Sequence, residues 1–130
     1  MKKLLLSITL SLSALFLSAC GADGAEKQTA NVEETGVVHE VTIIGYAGKE
    51  VEDFRFEPEE LAVKQGDKVR LTLESDDEIE HGLTIFGISK QLKQGETLEF
   101  IAEEPGEHIG QCSVFCGAGH AVMTFKLTVD

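Results

Sequence analysis

From Val37 to Asp130, short apolar-polar alternations follow one another, and no window of helical length carries a 3.6-residue period. Such a pattern leaves β architectures as the ones this part of the chain can build. Val69, Leu71 and Leu73 alternate with Lys68, Arg70, Thr72 and Glu74, and Phe125, Leu127 and Val129 alternate with Thr124, Lys126 and Thr128. Both read as strands with one buried face. Shorter alternations occur at Val41 and Ile43, Phe54 and Phe56, Leu61 and Val63, Leu83 and Ile85, and Leu98 and Phe100. Turn residues separate them at Gly45 to Gly48, Gly66-Asp67, Gln94-Gly95 and Pro105-Gly106. Seven or eight short strands are thus expected over residues 37–130, with no internal repeat and no domain break. An all-β sandwich or Greek-key barrel is the predicted fold, and the alternating Phe54 and Phe56 belong to its core.

The first residues have a different character. Lys2 and Lys3 precede an apolar run from Leu4 to Leu17, 14 residues long, which is short for a spanning helix and has the build of an export signal. It ends in Leu17-Ser18-Ala19-Cys20, which resembles the lipobox of bacterial lipoproteins. That resemblance implies a signal peptide over residues 1–19, a lipidated Cys20, and export to the outer face of the bacterial cell membrane, on its periplasmic or extracellular side. An uncleaved short anchor is the alternative, and it too holds the domain outside the cytoplasm. Residues 20–36 continue as a Gly-, Ala-, Glu-, Thr- and Asn-containing stretch without apolar periodicity, read as a flexible acidic tether. About 20 to 25 Å of reach keeps the domain near its membrane.

Chemistry concentrates in one stretch, Cys112-Ser113-Val114-Phe115-Cys116-Gly117-Ala118-Gly119-His120-Ala121-Val122-Met123. Two thiols, an imidazole and a thioether are the soft and borderline donors that select copper or zinc over magnesium or calcium. Cys116, His120 and Met123 supply three of the four donors of a mononuclear blue-copper centre, and Cys112 is then a second thiolate able to bridge two copper ions. In an exported protein two cysteines also read as a disulfide, but a disulfide gives no reason for His120 or for Met123, the one methionine besides the initiator.

These residues resemble the binuclear copper A (CuA) site of cytochrome c oxidase subunit II and of the nitrous oxide reductase tail. The family pattern is Cys, three residues, Cys-Gly, two residues, His, two residues, Met, and each position is present here. By that resemblance the fold is cupredoxin-like, and the cofactor is two copper ions (CuA) bridged by Cys112 and Cys116. His120 then binds one copper, Met123 is a weak axial donor, and Val114 offers its backbone carbonyl where oxidases commonly carry glutamate. The family's second histidine comes from an earlier loop, and Asp76-Asp77-Glu78-Ile79-Glu80-His81-Gly82 resembles that His-Gly segment, which points to His81. His39 and His108 lack this context. Oxidase subunit II usually carries transmembrane helices, and here a lipidated cysteine would stand in their place.

Charge narrows the partners. Without Lys2 and Lys3 the formal net charge moves from −12 to −14, so neither nucleic acid nor an anionic membrane surface attracts the domain. Asp76, Asp77, Glu78 and Glu80 crowd the approach to His81, either as a solvated loop or as a docking patch for a basic donor such as a c-type cytochrome. There is no nucleophile elbow, phosphate-binding glycine loop or recognisable acid/base carboxylate pair, so no catalytic site of its own is expected. The function expected is electron transfer through the copper centre, from a c-type cytochrome towards a haem-copper oxidase, with oxidase subunit I as a further partner. The alternatives are a lipid-anchored protein delivering copper for oxidase assembly and a mononuclear blue-copper carrier or zinc-binding domain.

Overall fold

A computed structural model describes residues 31–130, so the segment 1–19, Cys20 and most of the expected tether lie outside the described residues. Nine strands follow in order: β1 (Val38–Tyr46), β2 (Arg55–Glu57), β3 (Glu60–Val63), β4 (Lys68–Ser75), β5 (Gly82–Ile85), β6 (Lys90–Lys93), β7 (Thr97–Ile101), β8 (Gly106–Cys112) and β9 (Thr124–Val129). Two single 3₁₀ turns, Val51–Asp53 and His120–Val122, are the helical structure among the described residues. None is long and apolar enough to cross a membrane.

The strands form two sheets, one in the order β2-β1-β4-β7 and the other in the order β3-β9-β8-β5-β6. Their inner faces bury Ile43, Phe56, Val69, Leu71 and Leu73 from the first sheet against Leu83, Ile85, Leu92, Phe125 and Leu127 from the second. This is a β-sandwich whose core is built by period-two alternation. β1 runs parallel to β4 and β3 parallel to β9, while the remaining pairs are antiparallel. The chain passes from one sheet to the other at β2–β3, β3–β4, β4–β5, β6–β7 and β7–β8, which gives the Greek-key character.

The strand count exceeds the expected seven or eight for a physical reason. In β8 the buried positions are His108, Gly110 and Cys112, while Ile109 points outward with 47% of its surface exposed. An inward face of histidine, glycine and cysteine has no hydrophobic period to detect. β6 likewise has a single buried residue, Leu92.

At one end of the sandwich, residues before β1 are already fastened to the domain. Thr35 donates its backbone N–H to the Gly66 carbonyl at 3.0 Å, and its hydroxyl bonds the Asp67 carboxylate. That carboxylate also accepts the Lys64 backbone N–H at 3.0 Å and lies 2.8 Å from Nε2 of His39. Asp67 is buried, and the bonds from Thr35, Lys64 and His39 hold its carboxyl down to about 2.

Candidate metal centre

Two loops meet elsewhere on the sandwich: the β4–β5 loop, which ends in His81, and the β8–β9 loop, which carries residues 113–123. Pairing of β5 with β8 puts Leu83 opposite Cys112, and beyond the ladder Ser113 donates its N–H to the Gly82 carbonyl at 3.1 Å. Sheet register therefore brings together residues far apart in the chain. Cys112 itself is the last residue of β8, and its N–H is bonded to the Met123 carbonyl at 3.1 Å, closing the loop at its base.

His81 and Met123 are fully buried, and Cys112 and Cys116 nearly so. The Sγ atoms of Cys112 and Cys116 lie 3.7 Å apart, and both residues are free thiols. Cys116 Sγ is 3.4 Å from Sδ of Met123 and 3.8 Å from Nδ1 of His120. The Cys112 thiol donates to the Val114 carbonyl at 3.2 Å. Ligand atoms of His81, Cys112 and Cys116 all fall within 4.8 Å of one another. The structure thus gathers His81, Cys112, Val114, Cys116, His120 and Met123 into one cluster.

No family model matches the chain. Over 82 residues it is 37% identical to a nitrous-oxide reductase from Stutzerimonas stutzeri, an alignment covering 58% of this chain and 13% of that relative. The chain therefore spans about an eighth of the length of the curated relative it matches. Among solved structures, a heme-copper terminal oxidase dimer aligns with a TM-score of 0.57 and 23% identity, covering 85% of this chain and 77% of the other. Auracyanin A, a "blue" copper protein from Chloroflexus aurantiacus, aligns with a TM-score of 0.52 and 18% identity, covering 72% and 99%. The chain folds as a cupredoxin and carries the CuA spacing of ligand residues.

In this cupredoxin fold, His81 provides the test of whether a metal fits. Both of its ring nitrogens are buried without a hydrogen-bond partner, the only such side-chain nitrogen or oxygen atoms among the described residues. A buried imidazole left this way costs free energy unless something ligates it. Burial pushes its pKa down, which Asp77 partly opposes, so the ring is kept in the neutral form that binds metal. The ring is fixed by its surroundings: Phe56 packs edge-on at 6.5 Å between centroids, and a β-carbon on Gly45 would stand 2.5 Å from the ring's Cδ2. Only glycine fits β1 at that point.

The thiols also suit a metal better than water. Burial, and then the neighbouring Cys112, push the Cys116 thiol up to about 12. A cation that accepts sulfur is what turns such a thiol into a thiolate at neutral pH.

Below the β8–β9 loop lies Phe54. Gly117 has φ +134°, and a β-carbon there would also stand 2.8 Å from Cζ of Phe54. That accounts for the glycine that follows Cys116 in the pattern. Phe54 and Phe56 are core residues, as expected; Phe54 lies under Gly117 and Gly119 of the β8–β9 loop, and Phe56 packs on the His81 ring.

The acidic approach to His81 divides into two parts. Asp76, Glu78 and Glu80 are exposed, whereas Asp77 is half-buried and occupied. Its carboxylate accepts the Ala47 N–H at 3.1 Å, the Ser75 hydroxyl at 2.9 Å and the Ile79 N–H at 2.8 Å. Although burial pulls Asp77 up, these bonds leave its pKa below the ordinary value. Asp77 shapes the loop and sits 3.9 Å from Nε2 of His81.

His39 and His108 lie apart from the cluster. His39 pairs with Asp67, and Nε2 of His108 is 2.7 Å from the Glu104 carbonyl oxygen. Two contributors escape sequence reading. Phe115 is 80% exposed with its ring 5.7 Å from that of His120, and Gln94 reaches the backbone of His81 from the β6–β7 turn. The signal for Phe115 is an aromatic residue lodged between two cysteines; nothing local marks Gln94.

Proposed function

We propose that this cupredoxin-fold chain is a CuA-type centre that transfers electrons through two copper ions. The observation that carries the reading is the pair of unpartnered nitrogens on buried His81, set beside two free, buried thiols. Cys112, Cys116, His81 and His120 would hold the copper as the main donors, with Met123 and the Val114 carbonyl as weaker ones. Bound there, copper would supply a one-electron redox couple. The chain's own part is to keep those donors rigid and dry. Cys112 is anchored in the β8 ladder, Met123 directly precedes β9, and the core residues Phe54 and Phe56 close the site from below. A fixed, buried donor set of this kind suits a resident electron carrier better than a site that hands copper on.

The exposed surface around the centre suits a docking partner. Phe115 lies over His120, Val122 is 51% exposed and Ile79 41%, and Asp76, Glu78 and Glu80 surround the approach with negative charge. A c-type cytochrome with a basic rim fits such a face, with the electron passing on towards a haem-copper oxidase and its subunit I. Lipid on Cys20 would keep the domain on the outer face of the membrane where those partners work. Neutralising Asp76, Glu78 and Glu80 should flatten the dependence of transfer rate on ionic strength; an unchanged salt dependence would remove the acidic face from the reading.

Spectroscopy of the copper-loaded protein tests the centre itself. A purple sample with its unpaired electron spread over two copper nuclei is expected. A blue sample with one copper would replace the binuclear reading with a mononuclear one.

A further inference from the structure

We infer that Gln94 is a positioning residue for the metal centre, a role that rests on the copper reading above. β5 begins at Gly82, paired with Lys93 of β6, so His81 stands one residue beyond the end of that ladder. No strand carbonyl of β6 is placed to take its N–H. Gln94, one residue beyond the end of β6, supplies the acceptor from its side chain: Oε1 receives the His81 N–H at 2.8 Å. The amide thus adds one more rung to the sheet and carries its rigidity to the residue that presents the imidazole.

The turn holding Gln94 is itself tied down. Gly95 donates its N–H to the Leu73 carbonyl at 2.7 Å, and Glu96 donates to Lys93 at 3.0 Å. Gln94 is therefore braced against β4, the strand that leads into the His81 loop. The other side of that loop is held by Asp77 through its bonds to Ala47, Ser75 and Ile79. His81 is gripped at its backbone by Gln94 and at its ring by Phe56 and the bare Gly45 backbone, with its two nitrogens left free. Partners that orient a ligand without touching the metal typically change metal affinity by about 10- to 100-fold when removed.

Two variants test this. Gln94→Ala removes the acceptor, and Gln94→Glu keeps an oxygen in its place. In the metal-free protein, hydrogen exchange at the His81 amide should quicken about tenfold in Gln94→Ala, in line with loss of a single buried bond. Exchange at Leu83 and Ile85 should stay as in the parent, and Gln94→Glu should restore protection at His81. In the copper-loaded protein, Gln94→Ala should release copper to a chelator about tenfold faster with an altered absorption spectrum, and Gln94→Glu should not. Unchanged exchange at His81, or unchanged copper release, in Gln94→Ala would overturn the role assigned to Gln94. A parent protein that takes up no copper would instead overturn the reading on which it rests.

Discussion

The ring of Phe54 fills the space in which a β-carbon on Gly119 would stand, so the loop that carries Cys116 and His120 lies directly on an aromatic core residue. Backbone-to-ring contact of this kind lets the sandwich dictate the loop's height, and it makes a small substitution costly. The atoms in the way include Cβ and Cγ of Phe54, which cannot swing aside as the tip of a flexible side chain would. Gly119→Ala should therefore destabilise the domain by about 1–3 kcal/mol, the usual range for overpacking. Chemical denaturation checks this, and Phe54→Leu in the same chain should recover part of the loss. Strictly additive effects in the double mutant would contradict the contact.

A second prediction concerns acid. Asp67 is held down to about 2, against an ordinary 3.8, by the Thr35 hydroxyl, the Lys64 N–H and His39. A carboxyl depressed in the folded state stabilises fully above its unfolded pKa and loses that contribution as pH falls through the folded one. Asp67→Asn should therefore be less stable than the parent at pH 7, and the gap should close between about pH 4 and pH 2. Urea midpoints measured across that range decide it. A gap that stays constant down to pH 2 would mean the carboxylate charge has no part in fastening residues 35–39 to the domain.

Met123 offers a third. It is fully buried, directly before β9, with its sulfur 3.4 Å from that of Cys116. Leucine has nearly the same volume, so Met123→Leu should cost less than about 1.5 kcal/mol in folding. An axial thioether tunes a copper centre more than it holds it. Copper content should be kept while the reduction potential shifts, as voltammetry would report; loss of all copper would contradict the axial assignment.

How far the sequence discloses this molecule varies with the kind of interaction. β4 and β9 were legible because Val69, Leu71, Leu73, Phe125, Leu127 and Val129 alternate with polar residues and are all buried. β8 was not, because its inward face is His108, Gly110 and Cys112 while its apolar Ile109 faces solvent. The β8–β9 loop was readable as a donor set because its spacing is local. Sequence alone singled out His81 only through a resemblance; its place beside the sulfurs comes from the register that sets Leu83 opposite Cys112. Gly45, Phe54 and Gln94 are not legible as supports, since Gly45 acts on His81 36 positions away, Phe54 on Gly117 and Gly119 63 and 65 positions away, and Gln94 on His81 through a side chain reaching 13 positions back across a turn. Likewise the four acidic residues look alike in sequence, and only the three-bond engagement of Asp77 separates it from Asp76, Glu78 and Glu80.

Cys112 and Cys116 are the residues proposed to hold two copper ions together. The most direct measurement is the number of coppers bound per chain after anaerobic reduction, in the parent and in Cys112→Ser. Two coppers in the parent, sharing one unpaired electron, and a single copper in Cys112→Ser are predicted. One copper or none in the parent, or two coupled coppers in Cys112→Ser, would contradict it.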